Sequence, residues 1–328
     1  MRPTQRFLPR FLLAMTAILA LCPAAWGAQP PNTEKRSPDE KVTFPSFDGQ
    51  IMLDGFIWRP AGEGPHPALI ALHGCGGPFA NNGNPAFSNI AGKFKYWGKQ
   101  LADAGFLVMM VDSYTPRGFG DEPTDPEVCL TPWQQRPPEI DAIITRPFDA
   151  TAGLNYLRGL SEVRPGRIGL IGWSNGGSAA LATIASSSEA PLLANGVNFF
   201  SDPTDAERMR LEGFYASVSI YPGCGLQNHF SNGTYSSYTR GLVFGGALDT
   251  IAVACPTLVP EAVMNGSDLV LHWYANEDHG YDYEQWDGVA AQDTRTRVLA
   301  HFGALIQDAV FVDGFESGDT RYWGGTVP

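Results

Sequence analysis

The chain has 328 residues, with 22 lysines and arginines against 34 aspartates and glutamates, a formal net charge of −12 at pH 7. That length holds one large domain or two small ones. The acidic balance, offset by no basic run, excludes a surface built for nucleic acid or anionic lipid.

Residues 1–28 read as a secretory signal peptide. Arg2, Arg6 and Arg10 give a positive start, residues 11–21 are apolar and uncharged, and Ala24, Ala25, Gly27 and Ala28 supply small residues for cleavage. The apolar run is too short to span a bilayer, and no later segment is apolar enough to do so. Removing the leader takes away three arginines and no acid, so the charge moves to −15. The mature protein is expected outside the cytoplasm, periplasmic or extracellular. Export leaves Cys75, Cys129, Cys224 and Cys255, an even count that predicts two disulfides in an oxidising compartment. Four cysteines allow three pairings, and a buried free thiol at Cys75 is the alternative. No CxxC spacing occurs, so a structural zinc site is not expected.

After a polar leader segment, residues 41–45 and 51–58 alternate apolar and polar side chains around the turn Phe47-Asp48-Gly49-Gln50, as an antiparallel hairpin does. Residues 67–72 are a continuous apolar run ending in glycines, the pattern of a strand buried on both faces. Residues 93–104 carry Phe94, Trp97, Leu101 and Ala104 on one helical stripe, stopped by Gly105. Further strands are predicted at 106–111, 167–171, 214–221, 241–245 and 268–274, and further helices at 146–160, 176–185 and 294–310. A hairpin followed by alternating strands and helices implies a mostly parallel sheet with helices on both faces. Three segments, roughly 75–92, 113–145 and 222–240, are too long for plain connections. Each follows a strand, which puts it at the carboxyl edge of the sheet, where ligands bind in open α/β folds.

Gly172-Trp173-Ser174-Asn175-Gly176 matches G-x-S-x-G between a buried strand and a helix of small residues, the setting a nucleophile elbow requires. Ser174 is the candidate nucleophile. The following helix points its positive end at the site, and the Asn175 amide is a candidate oxyanion donor. His73-Gly74-Cys75-Gly76-Gly77 follows an earlier strand, where a second oxyanion donor belongs, and the Cys75 amide is assigned to it. The same glycines begin a dinucleotide fingerprint. Phe79 stands where its third glycine should be and Pro78 disfavours an immediate helix, so an NAD-dependent oxidoreductase is set aside. His73 reads as a structural residue at a strand end. Of the histidines after Ser174, His272 lies inside a strand, His301 on the last helix, and His229 before the acid strand. His279, in Asp278-His279-Gly280 just past the last strand, is the candidate base. Asp249, ending the preceding strand, is the candidate acid that accepts its Nδ1–H, with Asp278 as fallback. Tyr114, Trp173 and Tyr221 are candidates for the acyl-pocket wall; the competing role for each is packing at the sheet edge.

The stretches His73–Gly77, Asp112-Ser113-Tyr114 with Arg117-Gly118, Gly172–Gly177, Tyr221-Pro222-Gly223-Cys224, Gly246–Asp249 and Asp278-His279-Gly280 together resemble the dienelactone hydrolase family of α/β-hydrolases. The resemblance spans about residues 65–305. It implies an α/β-hydrolase domain over 29–309 and hydrolysis of a small carboxylic ester or lactone through an acyl-enzyme, without metal or organic cofactor. It also makes Arg117 a candidate contact for a substrate carboxylate; pairing with a surface acid such as Asp121 or Glu122 is the competing role. The chain departs from the family pattern in carrying Ser174 where its dienelactone-cleaving members use cysteine, and Gly74 or Cys75 where they carry a glutamate. A serine peptidase on the same fold, or a binding protein that has lost the chemistry, are the other readings. Residues 310–328 resemble a short tail found on exported bacterial proteins and read as an appended surface element.

Overall fold

The structure, a computed structural model, describes residues 34–80, 86–119, 128–129, 131–187, 190–194, 199–226, 229–230, 233–284 and 287–306. Residues 1–28, read as a signal peptide, and residues 310–328, read as a tail, lie outside these.

Eight strands form one sheet: β1 (Glu40–Pro45), β2 (Met52–Trp58), β3 (His66–Leu72), β4 (Leu107–Asp112), β5 (Val163–Trp173), β6 (Ser217–Ile220), β7 (Gly241–Gly246) and β8 (Leu269–Tyr274), in the order β1-β2-β4-β3-β5-β6-β7-β8. β1 and β2 pair antiparallel, as does β2 with β4. All pairings from β4 through β8 are parallel. This is the mostly parallel sheet, with antiparallel strands at its N-terminal edge, that the alternation of elements predicts, and the α/β-hydrolase fold that the resemblance implies.

The period-2 geometry of the strands divides the core in two. Ile70, Leu72, Met109, Val111 and Leu170 face one side, against helices α2 (Arg146–Arg158), α3 (Asn175–Thr183) and α5 (Cys255–Met264). Leu69, Ala71, Val108, Met110 and Ile171 face the other, against α1 (Gly92–Asp103) and α6 (Val289–Ile306). β3 and β4 bury nearly every side chain, which is why they read as unbroken apolar runs.

Several boundaries differ from expectation. β5 starts at Val163, through Pro165 and Gly166, because Val163 pairs with His66 before an irregularity in register, and regular pairing resumes at Ile168. β6 is only Ser217–Ile220. The last helix starts at Val289, five residues before the predicted start, and its expected end at 310 lies outside the described residues. Besides the single turns Pro191–Ala194 and Tyr281–Glu284, two longer helices were not legible. One is α4 (Ala206–Glu212), capped by Asp205, whose carboxylate accepts the amides of Glu207 and Arg208. The other is α5, where Pro256 occupies the first turn, in which a missing N–H costs nothing, and Pro260 breaks the pattern inside. Among the described residues no helix is long and apolar enough to cross a membrane.

Candidate active site

β5 ends at Trp173, and the chain reverses into α3 through Ser174 at φ 55°, ψ −119°. This backbone region is unfavourable for a residue with a side chain. The surroundings enforce it. The Ser174 amide donates to the Ile220 carbonyl at 2.9 Å. A Cβ on Gly172 would stand 2.1 Å from the Gly176 carbonyl oxygen, and one on Gly176 would stand 2.2 Å from that of Leu72. The glycines of the motif are therefore required by close approach of strand and helix.

His279 lies in the loop after β8. Its Nε2 is 2.9 Å from Ser174 Oγ, and its Nδ1 is 2.8 Å from Asp249 Oδ2. A carboxylate only accepts, so Nδ1–H donates to Asp249 and Nε2 is left to accept from the serine hydroxyl. Asp249 is 1% exposed, and its other oxygen accepts the amides of Ile251 and Ala252 at 2.7 and 3.2 Å. Burial pushes its carboxyl up, but the His279 bond and charge, with the two amides, outweigh this and hold it below the usual carboxylate range. The structure thus brings together the three residues selected from sequence. Asp278 accepts the backbone amide of His279, at 2.7 Å, whereas the ring is bonded to Asp249.

His73 is fully buried. Its Nδ1–H donates to the Gly74 carbonyl at 2.7 Å, and its Nε2 accepts the Ser113 amide at 3.3 Å. Burial first, and then Arg146, hold its pKa well below the ordinary histidine value. It is a neutral structural residue, as its place in the sequence implies.

The cavity over Ser174 and His279 has a volume of about 630 Å³. One wall is the disulfide Cys75–Cys129 with Pro132 and Arg136; Leu226 and Ile251 line another part. A second disulfide, Cys224–Cys255, ties the loop after β6 to the start of α5. Cys75 is therefore not a free thiol. All three long segments contribute to the cavity, as their position at the carboxyl edge predicts.

The expected substrate contacts require correction: none of Tyr114, Arg117, Trp173 and Tyr221 is among the residues lining this cavity. Tyr114, Trp173 and Tyr221 are each 1% exposed and lie behind the site. The Tyr114 hydroxyl donates to Asn175 Oδ1 at 3.2 Å, and the Trp173 indole N–H to Asp282 at 3.0 Å. Tyr221, at φ 39°, packs its ring edge-on to His279 with centroids 4.7 Å apart. The aromatic bulk that suggested a pocket wall is used as packing under the reactive groups. Arg117 is held by Asp149 through bonds of 2.9 and 2.8 Å and lines a separate cavity with Phe47, Ile144 and Phe148. Asp121 and Glu122, its expected surface partners, lie outside the described residues.

Two buried groups around the site carried no signal in the sequence. Arg146 is fully buried and donates to Asn175 Oδ1 at 2.6 Å and to the His73 carbonyl at 2.8 Å. Asp282, 1% exposed, accepts from the Trp97 and Trp173 indoles and from the Tyr221 hydroxyl at 2.8, 3.0 and 2.5 Å. Lys93 donates to that hydroxyl at 3.3 Å, and burial lowers its pKa against the pull of Asp282. Arg146 read only as a helix start. Among the described residues no group of three or more His, Cys, Asp or Glu side chains is placed to hold a metal ion.

A strained serine after a central parallel strand, with an acid and then a histidine from later strand ends, defines an α/β-hydrolase. The sequence profile of the dienelactone hydrolase family matches residues 53–306, and the chain belongs to that family. Membership places it among hydrolases of ester substrates. Similar solved structures include a bacterial brefeldin A esterase, at 18% identity and TM-score 0.57 over 84% of this chain and 79% of that one. A hyperthermophilic esterase of the archaeon Pyrobaculum calidifontis matches at 15% identity and TM-score 0.53, covering 81% and 83%. A dienelactone hydrolase-like promiscuous phosphotriesterase from metagenomic libraries matches at 17% and 0.55, covering 82% and 99%. At these identities the likeness speaks to fold alone.

Proposed function

We propose that the protein is an exported serine hydrolase that cleaves carboxylic esters or lactones of small molecules through an acyl-enzyme on Ser174. The observation that carries this reading is the continuous hydrogen-bonded chain from Ser174 Oγ through His279 to Asp249, at 2.9 and 2.8 Å. Ser174 Oγ attacks the ester carbonyl while His279 Nε2 takes its proton. Asp249 fixes the tautomer and stabilises the imidazolium. The amides of Asn175 and Cys75 receive the negative charge that develops on the carbonyl oxygen. The C–O bond then breaks, and His279 returns the proton to the leaving alkoxide. Water, deprotonated by His279, attacks the acyl-serine and releases the acid, and the proton passes back to Ser174. Every proton has an acceptor within the protein, so the sequence of steps calls for no cofactor.

Two features support export. The leader reads as a signal peptide, and the two disulfides suit an oxidising compartment. The cavity walls are mostly apolar, which favours an uncharged acyl group of moderate size.

The test is hydrolysis of p-nitrophenyl esters of rising acyl length by the protein lacking residues 1–28, with Ser174→Ala as control and fluorophosphonate labelling in parallel. Activity and labelling that vanish together in the variant are expected. A folded wild-type protein that is inert on the whole series and unlabelled would overturn the reading.

A further inference from the structure

Arg146 stands at the first position of α2, and its guanidinium reaches inward beneath the carboxyl edge of the sheet with no exposed surface. Its acceptors lie on two different segments. Nη2 donates to the carbonyl of His73, the residue that leads into Gly74 and Cys75, at 2.8 Å. Nη1 donates to the side-chain oxygen of Asn175, the first residue of the helix after Ser174, at 2.6 Å. The Tyr114 hydroxyl donates to that same oxygen at 3.2 Å, and the Tyr114 ring lies 5.4 Å from the guanidinium carbon. Asp149, the nearest acid in sequence, is gripped instead by Arg117. The Arg146 charge is thus solvated by a carbonyl, an amide oxygen and an aromatic face.

We infer that Arg146 is a positioning residue for oxyanion stabilisation: it fixes the spacing between the two segments that carry the Cys75 and Asn175 amides. This rests on the function proposed above. A guanidinium is a rigid planar fork, so two N–H groups on one plane set the separation of their acceptors in a way no flexible ammonium can. One acceptor belongs to each of the two segments, so the fork acts as a gauge between them. Oxyanion donors must sit within a few tenths of an ångström of where the charge develops, because they act by being fixed before the reaction. A buried cation behind the two amides adds a favourable field for that charge, in a region where water does not screen it.

The test is Arg146→Lys, which keeps the charge but replaces the rigid two-nitrogen fork by a single nitrogen on a flexible stem. Arg158→Lys is the control, because Arg158 donates to the carbonyls of Leu211, Glu212 and Gly213 and to no group of the site. Kinetics on a soluble ester are normalised to fluorophosphonate-titrated sites, and inhibition by a boronic acid, which forms a tetrahedral adduct on serine, is measured alongside. Loss of one oxyanion donor costs about 10²–10³ in kcat. For Arg146→Lys a fall of roughly ten- to a hundred-fold in kcat is expected, being a displacement rather than a removal. KM should change little, and the boronic acid should weaken in proportion to kcat/KM. Arg158→Lys should leave kcat intact. Should Arg146→Lys fail to fold, Asn175→Ala carries the same test. It removes one acceptor while keeping the backbone amide, and the same paired loss in kcat and boronate affinity is expected. An unchanged kcat overturns the inference, and so does a kcat that falls while boronate affinity stays. In either case the serine-hydrolase reading survives, because it is judged by Ser174→Ala and by labelling of the wild type.

Discussion

Asp282→Asn probes the polar network beneath His279. One Asp282 oxygen accepts both indole N–H groups, from Trp97 and Trp173; the other accepts the Tyr221 hydroxyl. Asparagine can keep its oxygen toward the two indoles, but its amide then faces Tyr221 as a donor. The phenol, already accepting from Lys93, is left with no acceptor for its own proton. A hydrogen bond to a charged group contributes about 1.5–3 kcal/mol net, and a buried donor left unsatisfied costs about 1–3. Lys93 also loses the carboxylate that opposes its desolvation. The loss of stability should therefore be about 2–4 kcal/mol, read as a lower urea midpoint at unchanged m. Activity should fall as well, because Tyr221 is both a partner of Asp282 and the ring packed against His279, and Asp282 lies three residues from His279, in the helical turn Tyr281–Glu284 that follows its loop. A variant within about 0.5 kcal/mol of wild type with unchanged kcat would refute this account.

Asp249→Asn should preserve the fold yet lower kcat by about 10⁴, because an amide donor facing Nδ1 imposes the wrong tautomer; a drop under tenfold on a soluble ester would remove Asp249 from its role. The disulfides close loops with sequence separations of 54 and 31 residues, for which chain entropy gives about 4 kcal/mol each. Reduction or a paired Cys→Ser change should lower the thermal midpoint. Breaking Cys75–Cys129 should also raise KM, since it forms a wall of the cavity; a KM that does not move speaks against that. Burial, followed by Arg240, holds the pKa of His301 down at about 4. Between pH 6.5 and 4 the unfolded chain therefore binds a proton at His301 that the folded chain does not, and acidification costs up to about 3 kcal/mol. Asp112, raised to about 6 by burial, acts in the opposite direction. The His301 contribution is accordingly read as the difference from His301→Gln, which should shift toward the variant as pH falls from 7 to 4; a flat difference excludes it.

The eight strands and the grouping of Ser174, Asp249 and His279 were legible because each has a local cause. Buried strands are apolar runs, the elbow needs its two glycines, and Asp249 and His279 follow the ends of strands. The substrate contacts were not legible. Tyr114, Trp173 and Tyr221 have the bulk and polar tips of pocket residues, and only the fold decides whether a ring faces the cavity or the core. α5 was hidden by Pro256 and Pro260, which read as loop when taken one residue at a time. The links of Arg146 to His73 and Asn175, and of Asp282 to Trp97, Trp173 and Tyr221, join positions up to 185 residues apart. No periodicity marks such pairs.

These unsignalled contacts share a physical purpose. The site is assembled from loops at one edge of the sheet, and loops are the least constrained parts of a fold. A reaction that depends on fixed donors and a fixed base needs those loops held to a fraction of an ångström. Each anchor joins one loop to another or to the frame. Cys75–Cys129 ties the loop after β3 to the insertion after β4, and Cys224–Cys255 ties the loop after β6 to the segment after Asp249. Arg146 bridges the loop after β3 and the nucleophile helix, and Asp282 fastens the His279 loop to Trp173, the residue before Ser174. Two anchors are covalent and two are buried ionic groups whose loss leaves uncompensated polar atoms. Damage to any of them should therefore reach kcat even though none of the anchoring side chains bonds to Ser174 or His279.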